Sequence, residues 1–171
     1  MKKIVILGAG GHALNIIDLL KNEQSEYDLA GIIDPTATGE AWGVPVLGTD
    51  EVLPRIKNQG ILYAFPAVGF GQGVDNRLRV RIFEKIKKSG FIIPNLISSK
   101  AFIRSHVLMG EGNLVQAGSI IDTGVSLGNN VAVGLNVSLG HCARVGDHVT
   151  FSGGVIVNGG IKIGEGTFLW M

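Results

Sequence analysis

The chain of 171 residues carries 15 basic and 14 acidic side chains, and a formal net charge of +1 excludes broad electrostatic attraction to nucleic acid or to an anionic membrane. Its one cysteine, Cys142, excludes an internal disulfide and a cysteine-based zinc cluster and fits a cytoplasmic, reducing setting. No run approaches the roughly 18 apolar residues of a membrane-spanning helix, so no membrane insertion is expected, and the expected partners are small molecules and other copies of the chain.

The opening Met1-Lys2-Lys3 and the apolar residues after it could begin a secretory signal, but the run breaks at Gly8 and is followed by His12 and Asp18, which predicts a first strand instead. After the turn Gly8-Ala9-Gly10-Gly11-His12-Ala13, the residues Ala13, Ile16, Ile17 and Leu20 are spaced for one face of a helix. The turn fits G-x-G-x-x-G/A with Ala13 in the last place, a pattern that brings backbone N–H groups and a helix N-terminus close to a phosphate. Asp34 ends a second apolar run over 29–33, where a ribose-binding carboxylate would sit.

The alternation continues with a helix over 49–57, a strand over 61–65, a turn over 69–73 and a helix over 75–88. Together these predict a small Rossmann-like βαβαβ unit, half the size of a full dinucleotide fold. The turn points to a nucleotide or phosphorylated ligand; a turn that serves only helix packing is the plain alternative, and a nicotinamide-dependent reductase would rest on the turn alone. Residues 91–97, interrupted by Pro94, predict a last strand and the passage into a second domain, with domains over 1–96 and 97–171.

In the second half a large apolar side chain recurs at every sixth residue: Ile97, Ile103, Met109, Val115, Ile121, Leu127, Val133, Leu139, Val145, Phe151, Val157, Ile163 and Leu169. The next residue is often glycine, and the fourth after each anchor is usually small or β-branched, as at Val107, Val125, Val131, Val137 and Ala143. A helix repeats near 3.6 residues and a strand at 2, whereas a period of six with a glycine for bending describes hexapeptide repeats wound into a parallel β-helix. Three hexads make one triangular coil, so about four coils are expected, each rising about 4.8 Å.

In the rung Leu139-Gly140-His141-Cys142-Ala143-Arg144 only Leu139 and Ala143 take inward positions, which leaves His141 pointing outward. A neutral imidazole can take a proton from a hydroxyl or amine, which makes histidine the usual general base. On residue type alone His12, His106, His141 and His148 are all candidates, and each could equally be solvated surface. A Cys142–His141 nucleophile pair is disfavoured because adjacent strand residues point to opposite sides.

Taken together, Gly8-Ala9-Gly10-Gly11-His12 after the first strand, Asp34 after the second, Asn95-Leu96-Ile97 at the junction and the run from Gly140 through Asp147 give the chain a specific likeness. Over its whole length it resembles the hexapeptide-repeat sugar acetyltransferases, which include sialic-acid O-acetyltransferases and the nucleotide-sugar N-acetyltransferases of bacillosamine synthesis. The resemblance implies a left-handed β-helix, a homotrimer with acetyl-CoA bound between neighbouring subunits, and an amino-terminal domain that holds a sugar or nucleotide-sugar acceptor. It implies His141 as catalytic base in a direct transfer, Gly10, Gly11, His12, Asp34 and Gly69 as substrate-binding residues, and Thr150 and Gly159 as contacts to acetyl-CoA, with no metal.

Some departures stand out. The family usually has Asp or Glu directly after the histidine, where this chain has Cys142, and often an asparagine seven residues before it, where this chain has Gly134 with Asn136 nearby. Gly69-Phe70-Gly71 replaces the usual glycine-asparagine turn. Relatives continue for further coils, whereas this sequence stops inside a rung at Trp170-Met171, so an incomplete helix is expected, either a fragment or a shortened product. A non-catalytic sugar-nucleotide-binding or scaffold protein of the same ancestry is the alternative function.

Overall fold

The structure is a computed structural model that describes residues 1–24, 26–69 and 76–170. The expected turn residues Phe70 to Gly73, Asp75 at the expected helix start and Met171 therefore lie outside the described residues. The chain divides into two compact units, Met1–Pro94 and Asn95–Met171.

In the first unit, β1 (Lys2–Leu7), α1 (Gly11–Asn22), β2 (Tyr27–Ile33), β3 (Glu40–Ala41), β4 (Val44–Gly48), a 3-10 turn (Asp50–Val52), α2 (Leu53–Asn58), β5 (Tyr63–Pro66) and α3 (Asn76–Lys88) follow in order. The sheet runs β3-β4-β2-β1-β5, with all neighbours parallel except β3 and β4. Ile4, Val5, Ile6 and Leu7 are all buried, as expected for a strand covered on both faces. The strand order reverses direction at β1, with β2 on one side and β5 on the other. Ligand crevices in open α/β sheets form at such a switch point, beyond the carboxyl ends of the strands.

Two elements of this unit differ from expectation. The hairpin β3–β4 closes through Trp42 and Gly43, both left-handed at φ 57° and 71°. Two left-handed residues give the turn that matches strand twist, but a tryptophan there carries none of the usual Asn-Gly signal. The continuous strand expected over 91–97 is also absent: Ile92 makes an isolated bridge to Tyr63, while Leu96–Ile97 pairs with Leu114–Val115 in the second unit. Pro94, which has no N–H to donate, separates the two. No helix among the described residues is long and apolar enough to cross a membrane.

The second unit is a left-handed parallel β-helix of thirteen two-residue strands, from β6 (Leu96–Ile97) to β18 (Phe168–Leu169). Each strand pairs in parallel with the one 18 residues on, as Leu96 does with Leu114 and Ser138 with Ile156, giving sheets of five, four and four strands. Every expected anchor is the second residue of a strand, and the anchors and small residues from Val115 to Val157 form one apolar core. Ser119 sits among them fully buried, its Oγ donating to the Gly134 carbonyl at 2.7 Å and accepting from Val137 N at 3.2 Å.

The bend is not made where the sequence suggested. The left-handed residues come three after each anchor from Ile103 to Ile163, at His106, Gly112, Gly118, Gly124, Asn130, Asn136, Cys142, His148, Gly154, Gly160 and Gly166. The glycines directly after the anchors answer a different need: a Cβ on Gly128, Gly134 or Gly140 would come within 2.8 Å of backbone in the neighbouring coil.

Candidate functional site

The first unit holds a crevice of about 310 Å³ lined by Gly8, Ala9, Gly10, Gly11, His12, Asp34, Ala67, Val68, Gly69 and Leu78. All five residues expected to bind substrate are gathered here. Gly8 is fixed by the fold, since it has φ +119° and a Cβ would stand 2.9 Å from Val68 Cγ2 and 3.0 Å from the Ala67 carbonyl. Gly10 and Gly11 face open space, with nothing among the described residues within 4 Å of a Cβ. The first turn of α1 has no side-chain cap and no acidic residue, so no side chain of that turn offsets the positive end of the helix dipole at the crevice.

Asp34 is tied into the turn. Its Oδ2 accepts from Ala9 N at 2.8 Å, and its Oδ1 accepts from Thr36 N, Thr36 Oγ1 and Ala37 N, each at 2.9 Å. Burial works to raise the carboxyl's pKa, but the donors from Thr36, Ala37 and Ala9 outweigh it and hold the group below the ordinary carboxylate range. Asp34 therefore orders the glycine turn as well as facing the crevice.

Burial pushes His12 down from 6.5 to about 4, with the charge of Arg79 acting in the same direction. At neutral pH the ring is uncharged, so it offers the crevice a hydrogen-bonding group rather than a cation. Gly69 packs on it, a Cβ there falling 3.1 Å from His12 Cβ. The Trp42 indole N–H donates to the Ala9 carbonyl at 2.8 Å, which brings an aromatic ring 48% exposed to the glycine turn. Sequence reasoning missed Trp42, because the hairpin that carries it had no recognisable turn signal.

In the second unit His141 is exposed, as its outward position implied, on a corner between β13 (Ser138–Leu139) and β14 (Arg144–Val145). Ser105, Thr123, His141 and Gly159 occupy the same corner in successive coils, with Thr123 Oγ1 donating to the Ser105 carbonyl at 2.9 Å. The imidazole lies over Gly159: a Cβ there would be 2.5 Å from Nε2 and 2.7 Å from Cδ2 and Cε1. Among the described residues no hydrogen bond orients the ring, so the Gly159 notch is what seats it. His141 and Gly159 are thus brought together, and their separation of 18 residues was a signal available in the repeat. Thr150 lies apart from them in β15 (Thr150–Phe151), 7% exposed.

Cys142 is exposed, with φ 57°. It and His141 stand on a turn, so the strand alternation used to separate them does not apply; the left-handed backbone at Cys142 governs the thiol's direction instead. His106 and His148 also occupy left-handed corner positions, and His148 Nδ1 lies 3.0 Å from Asn130 Nδ2 in the preceding coil. Among the described residues no group of three His, Cys, Asp or Glu side chains could hold a metal ion.

An α/β unit with a glycine-turn crevice, followed by a β-helix with an outward histidine on one corner, describes a class of protein that comparison identifies. Residues 3–86 match the model of the PglD N-terminal domain. A histidine-to-asparagine variant of perosamine N-acetyltransferase from Caulobacter crescentus, solved in complex with CoA and GDP-perosamine, is 32% identical, with a TM-score of 0.87 over 97% of this chain and 76% of that one. The acetyltransferase domain of PglB from Neisseria gonorrhoeae FA1090, in complex with acetyl coenzyme A, shares the fold at 22% identity and a TM-score of 0.65, over 98% of this chain and 95% of that one. WeeI from Acinetobacter baumannii AYE does so at 21% identity and 0.74, over 94% and 74%. Comparison with curated protein sequences returns no match. The chain belongs to the hexapeptide-repeat sugar acetyltransferases, and it is an acyltransferase.

Proposed function

We propose that this protein transfers the acetyl group of acetyl-CoA to an amine of a nucleotide-linked sugar, with His141 as general base. The acceptor nitrogen attacks the thioester carbonyl while the imidazole takes its proton. The new C–N bond forms, the C–S bond breaks and the imidazolium returns its proton to the departing sulfur, so CoA leaves as the thiol, with the tetrahedral oxyanion held in between by a backbone N–H. No covalent enzyme intermediate is needed.

Two observations support this. His141 is the outward imidazole of a coil corner, seated on Gly159, where a base can meet solvent-borne substrates. Gly10 and Gly11 are open where the fold itself does not need glycine, which suits close approach of a phosphorylated ligand to an uncapped helix start. The first unit, Met1–Pro94, would then hold the nucleotide sugar, with Gly10, Gly11, His12, Asp34 and Gly69 around it. The coils over 97–171 would work on acetyl-CoA, with Gly159 and Thr150 near it. An amine is favoured over a hydroxyl because the C. crescentus relative is an N-acetyltransferase solved with GDP-perosamine.

The working form is a homotrimer in the cytoplasm. The outward residues Phe102, Ile120 and Ile156 stand in register on one sheet, 61%, 45% and 76% exposed, and a second copy would cover them. His141 is exposed on its corner, and a neighbouring subunit would supply a wall opposite it.

The test is acetyl-CoA-dependent release of free thiol over a panel of UDP- and GDP-linked amino sugars and free sialic acid, with His141→Ala beside the parent. The parent is expected to turn over at least one nucleotide-linked amine, and His141→Ala to lose 10²- to 10⁴-fold, roughly the worth of a general base. A parent that binds nucleotide sugar without turnover would mark a scaffold protein instead.

A further inference from the structure

Arg79 lies on the inner face of α3 with Phe83 and Ile86, an i, i+4, i+7 set that is otherwise apolar. It is 4% exposed, and among the described residues its Nε, Nη1 and Nη2 have no hydrogen-bond partner. Buried guanidinium groups are normally paired with a carboxylate, phosphate or carbonyl, because an unpaired buried charge is among the most costly arrangements in a folded protein. Burial lowers the pKa of the group, and no carboxylate among the described residues counters it. Arginine cannot escape by losing its proton at neutral pH.

The charge is also well placed. Leu78, the residue before Arg79, lines the glycine-turn crevice, and so does His12, which lies within reach of the Arg79 field. In a low-dielectric wall a charge acts on an ion a few ångströms away with little screening. The same crevice has the uncapped α1 start and the open space beside Gly10 and Gly11. Asp34, the acidic group in its lining, is already held by donors from Ala9, Thr36 and Ala37.

We propose that Arg79 is the buried counter-charge of an anion site in this crevice, and that the anion is the diphosphate of the nucleotide-linked sugar. Its identity as a diphosphate rests on the function proposed above; the unpaired charge does not. Arg79 acts beneath the crevice wall, through its field, while the α1 N–H groups and Gly10 and Gly11 give the ligand its direct contacts. Ligand binding therefore completes the charge balance of the unit, and the ligand-free protein carries an electrostatic defect.

The experiment compares the full chain with Arg79→Met, which keeps the length and removes the charge, and Arg79→Lys, which keeps the charge. Melting temperature is read without ligand and with inorganic pyrophosphate, UDP and GDP, and affinities by calorimetry. Arg79→Met is expected to melt higher than the parent without ligand and to bind pyrophosphate and the diphosphates at least tenfold more weakly, with Arg79→Lys between the two. In the parent, the Arg79 Nε–H resonance should shift on adding pyrophosphate, a readout that needs no variant to fold. Unchanged affinity in Arg79→Met, an unmoved resonance, or a parent that binds none of the three ligands would each overturn the proposal. Arg79-dependent binding without acetyl transfer would sustain it while sinking the proposed reaction, and acetyl transfer indifferent to Arg79→Met would do the reverse.

Discussion

The first unit assembles its crevice from four separated stretches, Gly8 to His12, Asp34, Ala67 to Gly69 and Leu78, whereas the β-helix offers His141 from one corner of a coil whose path every other coil repeats. In the crevice, each residue is held by contacts that occur once: Asp34 on the turn, Trp42 on the Ala9 carbonyl, Gly69 on His12. At the His141 corner, the backbone is fixed by periodicity, and only the identities in the column Ser105, Thr123, His141 and Gly159 set one coil apart from the next. An irregular fold makes a site by convergence, and a repeating fold makes one by an exception. Substitutions at packed residues such as Gly8 should therefore damage structure in the first unit, and those at the His141 corner column should damage chemistry in the second.

The largest effect is expected at Gly8. Gly8→Ala forces a side chain into φ +119° against Val68 and the Ala67 carbonyl and should cost about 2–4 kcal/mol in denaturant unfolding. Gly10→Ala and Gly11→Ala meet no atom of the described residues within 4 Å and should stay within about 1 kcal/mol of the parent while weakening nucleoside diphosphate binding. If all three variants were equally stable, the distinction between fold-required and ligand-required glycines would fail.

Acid should act next. His12 has a folded pKa of about 4 against 6.5 in the unfolded chain, so the unfolded state takes the proton first. The stability tied to this group is whole above about pH 6.5 and declines as pH falls toward 4, by about 1.4 kcal/mol per unit and about 3 kcal/mol at most. Denaturation at pH 7.5, 5.5 and 4.5 should show this slope in the parent and its loss in His12→Gln; equal slopes would remove His12 as the cause.

Smaller and confined to chemistry is the effect of Gly159→Ala. The added methyl meets the end of an exposed side chain, so the imidazole swings away at little cost in stability, and kcat should fall about tenfold, some 1.4 kcal/mol, with the melting temperature unchanged. A rise in the KM for acetyl-CoA at constant kcat would instead make Gly159 a contact to the donor. Least of all, Cys142→Gly should add up to about 1 kcal/mol by relieving a left-handed cysteine, with turnover intact. Lost turnover would implicate the thiol.

These contrasts follow what the sequence could express. The coils were legible because a period of six is written into side-chain size thirteen times, from Ile97 to Leu169. Yet that period did not reveal which glycine bends the chain, since close approach and a left-handed φ both select glycine; only Asn130, Asn136, Cys142 and the two corner histidines separate them. The glycine turn and Asp34 were legible in the strand–turn–helix pattern, whereas His12 and Gly69 entered as substrate-binding residues only through the family resemblance. Trp42 and Arg79 were not legible, because a hairpin turn without Asn or Gly at its first position and an arginine on an amphipathic helix both look ordinary until tertiary packing places one on the Ala9 carbonyl and buries the other.

The 18-residue register of the coils also makes length a discrete variable. Inserting 18 residues before His141 would move it one coil along the axis, about 4.8 Å, and keep it on the same corner. Inserting six would carry it to the next corner with its backbone conformation unchanged, and inserting five or seven would break the register of every coil after it. Depth and direction of an outward group can thus be reset independently by whole-repeat steps, so a family built on this scaffold can vary the reach of its chemistry without redesigning a core.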